Sequence, residues 1–167
     1  MKIIFFLILF TGLVLGANDK MPYQKNELGI SLGPASGWGL SYKMPLSDFT
    51  SLRFVGGFIS SSKSDLNYCG GLEFAYNLRS NRDINFFISN AFIYTYEETH
   101  FRWQKDARGV LGLGLSLYID EMISLTFEYH QVFEYSITEE NYEPEFNQKD
   151  KDFYFYPSIG LIIGFLY

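Results

Sequence analysis

Cysteine is almost absent from this chain of 167 residues, where Cys69 stands alone. An internal disulfide is therefore excluded, and so is a cluster of cysteines around a metal. Histidine is nearly as scarce, with only His100 and His130. Basic residues are outnumbered 13 to 19 by acidic ones, for a formal net charge of −6. No basic run is available to neutralise phosphates, which argues against a nucleic-acid partner. Beyond the first few residues, no apolar stretch reaches the length of a transmembrane helix. A chain of this kind enters a membrane only as a closed barrel, because no other strand arrangement satisfies every backbone group there.

What the chain has in excess is aromatic residues, 19% of the total and mostly Phe and Tyr. That share is high for a soluble domain, and expected where side chains face lipid and its two interfaces. The length suits one domain. At the N-terminus, Lys2 precedes an apolar run from Ile3 to Phe10 that continues through Leu13, Val14 and Leu15 to the small residues Gly16 and Ala17. These features predict an export signal over residues 1–17, cleaved after Gly16 or Ala17, with the mature domain spanning 18–167. No cysteine follows the cleavage region to carry a lipid.

The last segment, 153–167, carries the clearest pattern. Tyr167, Phe165, Ile163, Leu161 and Ile159 alternate with Leu166, Gly164, Ile162, Gly160 and Ser158. A strand sends successive side chains to opposite faces, so this one has a continuous apolar face and a slimmer one. The same alternation recurs upstream. Strands are predicted over 27–33, 38–44, 50–60, 67–78, 84–96, 107–118 and 123–135, several of them near the 9–11 residues that a tilted membrane strand needs. Trp38, Leu40, Tyr42 and Met44 are expected on one face of the second strand. Turns such as Pro45-Leu46-Ser47-Asp48 and Asp120-Glu121 are short, whereas the segments 97–106 and 136–152 read as polar loops at the opposite end. The expected fold is an all-β, eight-stranded, antiparallel, up-and-down transmembrane β-barrel.

In strand count, size, loop asymmetry and terminal Tyr167, the chain resembles the small eight-stranded bacterial outer-membrane barrels of the OmpX and OmpA transmembrane-domain type. The resemblance implies an outer-membrane location and an insertion signal formed by Tyr167, Phe165, Ile163 and Leu161. It also implies contact with membrane lipids and lipopolysaccharide, and with the barrel-assembly machinery during insertion. A monomer is expected. A soluble lipocalin-like barrel is the competing architecture, with the apolar face turned inward. The slim faces here carry Gly, Ser and Ala, suited to a narrow lumen, whereas Leu, Phe and Tyr are too bulky to fill one. Tyr42, Tyr68, Tyr76, Tyr94, Tyr118, Tyr129, Tyr135 and Tyr167 fit interfacial girdles.

Six charged residues fall on the slim faces: Lys43, Arg53, Glu73, Arg108, Glu128 and Glu134. Hairpin counting sets Arg53 opposite Glu73, with Glu128 at similar depth, and Arg108 near Glu134. A lumen ion-pair network is expected. Its plain role is to pack a polar core, and its sharper one is a gate for a narrow pore. Lipid-modifying barrels supply a third reading, but the deacylase pattern places Ser two residues after His, and Val132 occupies that position after His130. Cys69 reads as an inward filler. The acidic segment 136–152, with Glu139, Glu140, Glu143 and Glu145, is a solvated loop or a surface for divalent cations or a basic partner. Trp103, Phe101, Tyr142 and Phe146 would supply it with apolar anchors. No cofactor and no metal centre is expected. The leading function is a structural or surface-interaction role in membrane integrity or adhesion.

Overall fold

Alternation with period two and turn residues at regular intervals produce strands that pair with their sequence neighbours. The computed structural model describes residues 25–33, 37–62, 65–80, 83–99, 102–119, 122–141 and 147–167. The expected signal segment lies outside them. Eight strands follow in order: β1 (Glu27–Leu32), β2 (Gly39–Pro45), β3 (Thr50–Ser62), β4 (Asp65–Ser80), β5 (Ile84–Thr99), β6 (Arg102–Ile119), β7 (Ile123–Asn141) and β8 (Asn147–Leu166). Each pairs antiparallel with the next, and β1 closes the barrel on β8.

The two ends of the barrel differ in wall height. At one end, 46–49, 81–83 and 120–122 link consecutive strands; this is the turn end, where the described chain also begins and finishes. At the other end the strands stop at different heights. β1 and β2 have 6 and 7 residues, whereas β7 and β8 have 19 and 20. The polar loops expected over 97–106 and 136–152 are therefore largely strand. β5 and β6 stay paired to Thr99 and Arg102, and β7 and β8 to Asn141 and Asn147. Polar residues on both sides of a ribbon leave no alternation to detect, yet the backbone ladder continues through them. β8 meets β1 only from Leu161 to Leu166, so above Leu161 it has a ladder partner on the β7 side alone among the described residues.

The barrel is apolar outside and polar inside. Leu28, Ile30, Leu40, Phe54, Leu72, Phe74, Phe92, Leu111, Phe127, Phe133, Phe155, Ile159 and Phe165 are all exposed on the outer wall, spread over all eight strands. The buried set includes Glu27, Lys43, Arg53, Glu73, Asp106, Glu128, His130 and Glu134. Small residues make room for this interior. A side chain at Gly114 would meet the Phe87 ring, and one at Gly112 would meet His130.

Two face assignments are corrected. Trp38, expected outside with Leu40, packs against the buried cluster and covers Gly57. Gly37 and Gly39, at φ 75° and 121°, place the backbone on either side of it in a region that side-chain-bearing residues rarely adopt. That twist breaks the alternation and turns the indole inward. Tyr118 is likewise on the inward parity, paired with the buried Ser124, and does not join the outer girdle.

Candidate functional site

The interior divides into layers along the barrel axis. On β7 the inward side chains run, in order, through Ser124, Thr126, Glu128, His130, Val132, Glu134 and Ser136, every one of these buried. Glu128 and Glu134 are six residues apart, about 20 Å along an extended strand. Val132 lies between them, and it marks an apolar layer.

The layer nearer the turn end is centred on Arg53. Register pairing sets Glu27 beside Lys43, Lys43 beside Arg53 and Arg53 beside Glu73, so four neighbouring strands carry a charged row. Arg53 Nη1 donates to Glu73 Oε2 at 2.5 Å and to Glu128 Oε1 at 2.7 Å. Its Nη2 stands 3.9 Å from Glu27 Oε1. Sharing one guanidinium between carboxylates on β4 and β7 ties opposite walls together. His130 Nε2 lies 3.6 Å from Glu128 Oε2. Lys43 lies over an aromatic face, its Nζ 5.6 Å from the centre of the Phe87 ring. Below, Asn85 donates to Asn77 at 2.8 Å, and the Ser116 and Thr126 hydroxyls are 2.7 Å apart.

The apolar layer consists of Cys69, Ile93, Val110 and Val132, buried together, with Trp38, Ala91 and Tyr156 packed against them. Val55 and Cys69 both border the space beside Gly37. These side chains come from β3 to β8 and the β2 entry, so the layer forms a septum across the lumen. Apolar constrictions of this kind exclude water, and with it ions.

The layer nearer the ribbon end is centred on Arg108. Its Nε donates to Glu134 Oε2 at 2.5 Å and its Nη2 to Asp106 Oδ2 at 3.0 Å. Tyr156 donates to Glu134 at 2.6 Å, Thr95 to Asp106 at 3.1 Å and Gln104 to the second Asp106 oxygen at 3.0 Å. The Arg108 and Glu134 side chains keep 15% and 10% of their accessibility, against 3% or less for Arg53 and Glu128, so this layer is the better hydrated of the two.

The Arg53–Glu73–Glu128 and Arg108–Glu134 groupings thus match the expected positions, but as two networks on either side of the septum. Glu27 and Asp106 escaped the sequence reading. Glu27 opens the first strand before any alternation is established, and Asp106 sits where a loop was expected. Cys69 is indeed an inward filler, part of the septum. His130 and Ser89 both lie against the space over Gly112, and Glu128 is close by. Those residue types occur in hydrolytic sites, but here the imidazole is 1% exposed and enclosed by the barrel wall.

On the ribbon, Glu139 is half-buried and pairs in register with Trp103 and Lys149. Glu140 pairs with Arg102 and Gln148, its side chain lying outside the described set, as do Glu143 and Glu145 entirely. Lys105 Nζ sits 4.4 Å from the centre of the Trp103 ring and 5.8 Å from that of Tyr96, which stacks on Tyr68. Along β8, Phe165, Ile163 and Tyr167 are exposed, as expected of an apolar outer face, and Leu161 is half-buried.

Fold and interior together define an antiparallel eight-stranded barrel with a charged, partitioned core. Neither a known protein family nor any characterised protein matches the chain in sequence.

Proposed function

We propose that the protein is an integral β-barrel of the bacterial outer membrane, sealed through its lumen, with a structural and surface-facing role in membrane integrity or adhesion. The observation that carries this reading is the exposed apolar wall around all eight strands. Soluble monomers rarely expose apolar patches beyond a few hundred Å², and a wall of Leu, Ile and Phe is stable only against lipid. Closure of β8 on β1 supports it over Leu161 to Leu166, where β8 is paired on both sides, since lipid tolerates no open ladder within its hydrocarbon. The turn end then faces the periplasm and the ribbon projects outside, where paired acidic and basic residues with Trp103 offer a partner-binding surface. Outer-membrane lipids and lipopolysaccharide surround the wall, and the resemblance to the OmpX and OmpA barrels extends to insertion through the segment ending in Tyr167.

A second reading, a narrow gated pore, has one observation in its favour. Glu27 offers Arg53 a third carboxylate 3.9 Å away, so the guanidinium has somewhere to turn on releasing Glu73 or Glu128. The septum weighs against it, because an exchange of ion pairs leaves the apolar layer in place.

Two measurements test the proposal. Electrophoresis of the outer-membrane fraction, with and without boiling, is expected to show a folded species whose mobility changes on heating. In planar bilayers the wild-type protein is expected to give no single-channel steps. A soluble periplasmic protein without a heat shift refutes the membrane assignment, and steady channel steps refute the sealed lumen in favour of the pore.

A further inference from the structure

The outer wall contains a polar side chain where the membrane reading leaves it no solvent. Asn90 is exposed midway along the apolar face of β5, between Ile88 and Phe92 along the strand. Its neighbours across the sheet are Phe74 and Leu111. None of the four offers a side-chain hydrogen bond. Beside it, Gly109 faces outward with nothing within 4 Å of the position a Cβ would take. Asn90 and Gly109 line a groove of about 460 Å³ walled by Leu72, Phe92, Leu111 and Phe133. A second carboxamide, Gln131, stands in the same transverse row on the far side of Leu111.

Acyl chains fill such a groove but leave the carboxamide unpaired. A polar group facing hydrocarbon is costly and is retained where it meets a partner. An amide carries both donor and acceptor, so two copies of it satisfy each other. In an isologous pair, residues near the two-fold axis meet their own counterparts. A small residue beside the axis lets the two backbones approach closely. We infer that the occupant of this groove is a second copy of this chain, forming a dimer within the membrane with Asn90 close to the two-fold axis. The inference rests on the membrane reading, and it replaces the expected monomer with a lipid-embedded pair.

The test uses the full mature chain in a density-matched detergent and in phosphatidylcholine vesicles. Sedimentation equilibrium is expected to give a dimer for the wild type. Asn90→Leu is expected to weaken association by about tenfold or more, and Gly109→Phe to do the same by filling the groove. In vesicles, Leu111→Cys is expected to cross-link on oxidation, whereas Leu40→Cys, on β2 away from this face, is not. The native Cys69 is buried and does not interfere. A wild-type monomer that keeps its heat shift overturns the dimer and leaves the membrane barrel standing. So does a groove variant that releases bound lipid without changing the mass. Loss of the heat shift in the wild type itself overturns both.

Discussion

Replacing Arg53 with Met tests whether the lower ionic layer holds the barrel walls together. The guanidinium is 3% exposed, and its partners Glu73 and Glu128 are 4% and 0% exposed at distances of 2.5 and 2.7 Å. Arg53→Met leaves both carboxylates buried without their shared cation, with Glu27 close behind them. Breaking a buried pair from one side costs about 3–5 kcal/mol, most of it the uncompensated charge. With a urea m-value of about 2 kcal/mol per M, a loss of about 4 kcal/mol moves the unfolding midpoint down by about 2 M. The assay is urea unfolding in phospholipid vesicles, read by the heat-sensitive mobility of the folded band. Arg53→Met combined with Glu73→Gln and Glu128→Gln removes the stranded charges as well. That triple variant is expected to recover most of the loss, since neutral replacements of buried ion groups are often tolerated. Two results refute the reasoning: a single variant whose midpoint moves by less than about 0.5 M on the same m-value scale, or a triple variant as unstable as the single one.

Smaller effects are expected elsewhere. Glu134→Gln weakens the contacts with Arg108 and Tyr156 in the partly hydrated upper layer and is expected to cost about 1–3 kcal/mol in the same unfolding assay, less than Arg53→Met. Gly114→Ala drives a methyl into the Phe87 ring and is expected to cost about 1–3 kcal/mol. Gly70→Ala points into open space and is expected to stay within about 0.5 kcal/mol of wild type. Equal effects from the two glycine substitutions would show that lumen crowding is not the determinant.

The features legible in the sequence are those that a two-residue period controls. Leu72, Phe74 and Tyr76 against Glu73, Ala75 and Asn77 define both faces of β4, and the hairpin after β3 fixes Arg53 opposite Glu73 by counting alone. The closing strand follows from the same pattern. Where the period breaks, the reading fails for identifiable reasons. Trp38 leaves its expected face because the two flanking glycines adopt positive φ. The septum is hidden because Ile93, Val110 and Val132 are apolar residues on the face that otherwise carries polar ones, so alternation alone does not mark them as inward. The ribbon over 136–141 and 147–152 is mostly polar at both odd and even positions, so no apolar alternation marks it, and its composition resembles that of a solvated loop.

The short reach of β1 bears on the fate of the exposed part of β8. From Asn147 to Gly160 this strand has a ladder on one side only among the described residues, which makes it a template on which any extended chain could crystallise as one more strand. Its sequence carries the usual deterrents. Gln148-Lys149-Asp150-Lys151-Asp152 alternates charge along the margin, and Pro157 removes a backbone donor at the kind of position where sheets tolerate proline. The charged run then opposes edge-to-edge growth between copies of this chain. Neutralising Lys149 and Lys151 would turn a protected margin into an adhesive one.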